Sequence, residues 1–358
     1  MKRLGVSSRA VLATLLFVLS PACNDIHAAT RKAPAPVRTP VRLTSSAGAE
    51  TPVPAGADRV VTFRGACDAS GAVELDARRF AVADDEDNVI RVYDADRGGE
   101  PLLQVDLSPS LPLEKSWNAE SDFEAATRLG DAAYFLASHG RTSKGKRDPD
   151  RALFFATSLP AQAAAPALVG KPYRSLLDDL ANDPGLRPFA LHEAALRSPK
   201  APGGLNLEGL TADPAGGLLL GFRSPIPEGR ALLVRMLNPQ AMLAGERVRF
   251  SEPFLLDLQG LGVRSLSTWG KRFLIIAGPS GDGGPFGLFR FDGRTAVEPV
   301  PGLDFEGFGP EGFFTPESRD ELMVLSDDGT RVMHGKACKK LKDTKLKSFR
   351  GVWLKLAK

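Results

Sequence analysis

Five segments of this 358-residue chain share one layout. A small or charged anchor opens a short strand-like stretch, a turn follows, and a strongly apolar stretch then runs into a polar loop. The anchors are Ser70, Glu124, Glu208, Arg264 and Glu311, and the apolar stretches are Phe80–Ala83, Ala133–Ala137, Leu218–Phe222, Phe273–Ala277 and Leu322–Leu325. The distance from anchor to polar loop barely changes. It is 14 residues from Ser70 to Asp84, from Glu124 to Ser138 and from Arg264 to Gly278, 15 from Glu208 to Arg223, and 16 from Glu311 to Asp327. Short alternating apolar runs split by Gly, Pro and Asp indicate an all-β chain. A fixed unit of this kind, repeated, is the sequence form of propeller blades.

Each unit adds a third strand, at Val89–Tyr93, Ala152–Thr157, Ala231–Met236, Gly287–Phe291 and Arg331–His334, and four units add a fourth, such as Leu102–Leu107 and Phe254–Leu258. The reading is therefore an all-β protein, a β-propeller of five blades, or six if a degenerate unit has escaped notice. One propeller fills residues 58–358, with a helical insertion at about 171–200, where Tyr173, Leu176, Leu177 and Leu180 recur at helical spacing and Phe189–Leu196 offers a second helix. That insertion is either a decoration packed on the rim or a lid. Arg59–Phe63 and Phe349–Leu356 read as strands at the two ends of the body, which suits a closing blade built from both termini.

The residues before this body have a different character. Lys2, Arg3 and Arg9 precede an apolar stretch from Val11 to Leu19, with small residues near Ala22 and Ala28. This is the order of a signal peptide over residues 1–28, and the apolar part is too short for a membrane anchor. The expected location is outside the cytoplasm, in a periplasm or the extracellular medium. The membrane enters only if Cys23 becomes a lipid-modified N-terminus. Residues 29–57, rich in Ala, Pro and Thr, read as a disordered tether. Net charge is +3 overall and about +1 without the leader, which argues against a nucleic-acid partner. Cys67 and Cys338 remain, one near each end of the body. In an exported chain they suggest a disulfide that fastens the closing blade, the alternative being two unpaired buried thiols.

Several stretches lie on the anchors and loops: Cys67-Asp68-Ala69-Ser70, Ala83-Asp84-Asp85-Glu86-Asp87-Asn88, Ser138-His139-Gly140-Arg141, Asn206-Leu207-Glu208-Gly209-Leu210, Gly262-Val263-Arg264-Ser265-Leu266, Ala277-Gly278-Pro279-Ser280 and Pro310-Glu311-Gly312. Together they resemble an uncharacterised bacterial family, domain of unknown function family 3616. The resemblance runs from about residue 60 to the C-terminus. It implies the same repeat register and carries no established activity.

The repeat also locates a working face. The start of one strand and the end of its antiparallel neighbour lie at the same sheet edge, so the anchors and the polar loops should meet at one mouth of the central channel. Ser70, Glu124, Glu208, Arg264 and Glu311 would surround the axis, with Asp84, Asp85, Asp87, Asn88, His139, Arg141, Arg223, Ser280, Asp282, Asp327 and Asp328 in the loops. In one reading Arg264 pairs with the glutamates and the network pins the inner strands. In the other, Glu124, Glu208 and Glu311 hold a hard cation such as calcium, or a cationic or hydroxyl-rich ligand. The Asp84–Asn88 stretch lacks the glycine and distal glutamate of an EF-hand. No histidine pair has metal-ligand spacing, and there is no nucleophile elbow, phosphate loop or dinucleotide fingerprint. The lysines from Lys336 to Lys347 form a solvated loop or face an anionic partner. Two functions stay open: a monomeric propeller that binds a small ligand, metal or envelope protein at its mouth, and a calcium-dependent hydrolase of phosphate esters with Arg141, Arg223 or Arg264 facing the anion.

Overall fold

The computed structural model describes Pro54 and residues 56–114, 120–159 and 166–356; the leader, most of the tether and Cys23 fall outside them. The described residues form five four-stranded antiparallel sheets and one two-stranded hairpin. Blade I comprises Gly71–Glu74, Arg79–Ala83, Val89–Asp94 and Leu103–Asp106. Blade II comprises Phe123–Leu129, Ala132–Ala137, Phe154–Ser158 and Leu168–Tyr173. Blade III comprises Asn206–Ala212, Leu218–Ser224, Ala231–Met236 and Phe254–Leu256. Blade IV comprises Gly262–Trp269, Arg272–Gly278, Gly287–Phe291 and Val297–Pro299. In blade V, Pro310–Phe314 and Glu321–Ser326 are followed by the C-terminal strand Ser348–Lys355, with Ala57–Arg64 on its outer edge. The first strands touch in a closed ring, I to II to III to IV to V and back to I. This is a five-bladed β-propeller.

Each sheet is covered on both faces by its neighbours, so middle strands such as Ala132–Ala137 and Arg272–Gly278 are buried almost throughout and read as continuous apolar runs. Outer strands such as Leu103–Asp106 keep an alternating, half-exposed pattern. Hydroxyls cross between neighbouring inner strands: the Ala212 amide donates to Thr127 Oγ1 (3.1 Å), Thr211 and Thr268 hydroxyls meet at 3.1 Å, and those of Ser267 and Thr315 at 2.9 Å. The seam between blades V and I is filled by aromatic rings, among them Phe63, Phe80, Tyr93, Phe314, Phe349 and Trp353. The Cys67–Cys338 disulfide lies at the same seam, with Cα atoms 5.7 Å apart.

The structure corrects the sequence reading in two places. Arg331–His334 is not the third strand of blade V. Val332–Met333 pairs only with Lys336–Ala337 in a small hairpin, and the eight-residue strand Ser348–Lys355 takes the third place. A short exposed run could not compete there with a longer segment buried on both faces. The insertion carries the two expected helices, but with shifted bounds. Tyr173 ends the outer strand of blade II, and the helices are Leu176–Asn182 and Leu191–Ala194 with a short turn of 3-10 helix between them. Leu176, Leu180, Leu186 and Leu191 are buried against blades II and III.

Candidate functional site

The anchors reach the axis through a shared backbone irregularity. Where the first two strands pair in blades II to V, the register slips by one residue, and the residue left over is Glu124, Glu208, Arg264 and Glu311 respectively. A β-bulge of this kind re-aims a side chain that strict alternation would send to a sheet face. The residue after each anchor is small because the next blade lies close. A Cβ on Gly312 would fall 2.2 Å from the Ala69 carbonyl oxygen, and one on Gly71 would fall 2.7 Å from the Ala126 nitrogen.

All four charged anchors line a cavity of about 1410 Å³ at one mouth, joined by Arg223 and by Asp85, Asp282, Asp327 and Asp328 from the loops. Seven of the residues expected there do not line it: Ser70, Asp84, Asp87, Asn88, His139, Arg141 and Ser280. Ser70 is buried, and its hydroxyl has no hydrogen-bond partner among the described residues. His139 is buried too, bonded through Nδ1 to the Ala137 carbonyl at 2.8 Å, and burial pushes its pKa down to about 4. Arg141 donates to the carbonyls of Ala195 (2.9 Å) and Gly145 (3.0 Å), tying its loop to the helical insertion.

The mouth divides into a charge-matched half and an acidic half. In the first, Arg264 pairs with Glu311 and lies 3.1 Å from Glu208, whose other oxygen is 2.8 Å from Arg223 Nη1. Glu208 has no exposed surface. Asn206 Nδ2 donates to Glu208 at 2.5 Å and stands 3.5 Å from Glu124. In the second half, blades V, I and II bring Asp68, Asp85, Asp122, Glu124 and Asp327. Arg151 holds Asp122 at 2.7 Å, but among the described residues Asp68, Asp85, Glu124 and Asp327 make no ion pair. The carboxyls of Asp68 and Asp85 are pushed well above the usual range, first by burial and then by surrounding carboxylates. Burial and Glu208 do the same to Glu124. Glu311 rises to about 7 because burial and Asp327 outweigh Arg264.

Two sets of three carboxylates are close enough to share an ion, with one oxygen from each within 4.8 Å of the others: Glu124 with Glu208 and Glu311, and Asp68 with Glu311 and Asp327. Sequence reasoning singled out the first set and missed Asp68, Asp122 and Asn206 as site residues. Each sits two positions before an anchor, at Ser70, Glu124 and Glu208, so a polar residue at that offset was the available signal.

The fold and the mouth together define a five-bladed propeller with an acidic axial cavity. Residues 143–300 match the model of a family described as protein of unknown function, DUF3616, the family that the motifs resemble. No curated protein sequence matches the chain. Among solved structures, glutaminyl cyclase from Myxococcus xanthus shares 11% identity over 85% of this chain and 97% of its own, with a TM-score of 0.44. The PQQ-bound aldose sugar dehydrogenase of Streptomyces coelicolor shares 11% over 83% and 97%, with a TM-score of 0.42. The virginiamycin B lyase of Staphylococcus aureus shares 12% over 76% and 69%, with a TM-score of 0.35.

Proposed function

We propose that this is an exported, monomeric binding propeller whose mouth holds a hard divalent cation, calcium by donor type, in the sector between blades V and I. One observation carries the reading: Asp68, Glu311 and Asp327 converge within 4.8 Å, while Asp68 and Asp327 have no ion-pair partner among the described residues. Hard cations favour such all-oxygen sets. Glu208 suits the role less, being fully buried and committed to Arg223 and Arg264. Nothing favours a phosphate-ester hydrolase: Arg141 does not line the cavity, and Arg223 and Arg264 are neutralised by carboxylates.

Thermal melting of chelator-stripped protein tests the proposal. Added calcium should raise the melting temperature of the wild type and leave Asp68→Asn/Asp327→Asn unmoved, since a ligand that binds only the folded state stabilises it. A wild-type curve indifferent to calcium and magnesium removes the cation. Export is tested separately by the intact mass of envelope-extracted protein, and a full-length cytoplasmic product overturns it. Added lipid mass on Cys23 would mark an anchor.

A further inference from the structure

The disulfide and the proposed cation set share one seam. Cys67 immediately precedes Asp68, and Cys338 sits in the excursion of residues 327–347 that separates the second and third strands of blade V. The Asp328 amide donates to the Cys67 carbonyl (3.0 Å), the Cys338 amide to the Arg331 carbonyl (2.9 Å) and the Lys339 amide to the Gly329 carbonyl (3.0 Å). The Gly329 amide in turn donates to Asp327 Oδ1 at 2.7 Å. Apolar support around the bridge is slight: Cys67, Cys338 and Leu341 form a separate small cluster with Met333 beside it. Asp327 and Asp328 are held to the sheet by other means, through the bond from the Asp327 amide to the Gly309 carbonyl (2.8 Å) and the Arg350–Asp328 pair (2.6 Å). The bridge is thus the covalent tie between the Asp68 segment and the excursion beside Asp327.

Resting on the cation reading above, we propose that the Cys67–Cys338 disulfide gates the mouth, holding Asp68 against Asp327 when oxidised and releasing it when reduced. A dithiol reductant supplies two electrons and two protons and itself closes to a disulfide. The Sγ–Sγ bond breaks, and both cysteines become thiols. The blades stay assembled through their strand pairing, while Asp68 loses its fixed distance from Glu311 and Asp327. A chain made in a reducing compartment would then acquire its cation affinity only after export.

The experiment titrates calcium alone into oxidised wild type, dithiothreitol-reduced wild type and Cys67→Ala/Cys338→Ala, with circular dichroism as the check on folding. A roughly tenfold or greater loss of affinity in the reduced protein and in the folded variant is expected, within the usual range for coupled sites. Equal affinities overturn the gate and leave the cation site standing. No binding to the oxidised wild type overturns both. Should reduction or the substitution unfold the chain, reciprocity supplies a second reading. Calcium should lower the fraction of the wild-type bridge that is reduced at equilibrium in a dithiothreitol redox buffer, and an unchanged fraction overturns the gate.

Discussion

Arg264 and Glu311, the bulge residues of adjacent blades, are joined by a buried ion pair in the channel mouth. The same guanidinium also contacts Glu208 of the blade before, so three consecutive inner strands are tied through one cation. Replacing Arg264 with Met leaves two buried carboxylates facing each other. Breaking a buried pair costs about 3–5 kcal/mol, and urea unfolding should show a loss of that size. A loss below about 1 kcal/mol would mean that strand pairing alone fixes the ring.

The disulfide closes a sequence separation of 271 residues. In the chain-entropy picture a loop that long stabilises by about 5–6 kcal/mol, less any strain. Cys67→Ala/Cys338→Ala should therefore unfold at a clearly lower urea concentration than the oxidised wild type. Non-reducing peptide mapping should recover the linked pair from the latter.

Buried titratable groups predict how stability changes with pH. Asp84 is raised to about 7 by burial and Asp87, against the pull of Arg91, and Asp122 to about 6 by burial, against Arg151. Their folded-state pKa values exceed the unfolded ones, so their contribution is complete below about pH 4 and is lost as pH rises through 6 to 7. His139 acts in the opposite sense. Burial depresses it to about 4, so its contribution is complete above about pH 6.5 and is lost as pH falls toward 4. Between about pH 4 and 6 the two carboxyls outweigh the one imidazole, so chelator-treated protein should lose stability as pH rises from 4 to 7, and His139→Gln should steepen that fall. A melting temperature that rises steadily from pH 5 to pH 8 would contradict these assignments.

The sequence made the blade register legible because each offset is set locally. An inner strand, a turn and a second strand take nearly the same number of residues whatever the rest of the blade does. The bulges at Glu124, Glu208, Arg264 and Glu311 were hidden, since a register slip is a property of two paired strands and leaves no mark in either alone. The direction of a loop side chain was equally hidden. His139 and Arg141 lie in a loop of the expected blade edge, yet backbone bonds from both turn them to structural work. The third strand of blade V was lost for a different reason: Ser348–Lys355 pairs with Glu321–Ser326 across the excursion, where no local offset predicts it.

Close approach at the anchors yields another test. The backbone at Gly312 is not in the left-handed region, so its glycine answers to space alone, with the Ala69 carbonyl 2.2 Å from where a Cβ would lie. Gly312→Ala must push blade V away from blade I, an overpacking that costs about 1–3 kcal/mol. Gly209→Ala should behave similarly, because its Cβ would meet Val263 Cγ1 at 2.7 Å. Melting temperatures equal to the wild type in both variants would show that the ring yields freely at the axis.

The two carboxylate sets share Glu311, so Glu311→Gln cannot tell them apart; Asp68 and Glu124 can. Glu124 belongs only to the axial set, where Glu208 is already occupied by Arg223 and Arg264, and a divalent ion there would stand beside two guanidinium groups. Asp68 belongs only to the seam set, where no such cation is paired with it or with Asp327 among the described residues. At free calcium a hundredfold above Kd, binding should add about 2.7 kcal/mol of stability, a shift of several degrees in a domain of this size. Glu124→Gln should keep that shift and Asp68→Asn should lose it. The reverse pattern would move the ion to the axis and make Glu124, Glu208 and Glu311 its ligands.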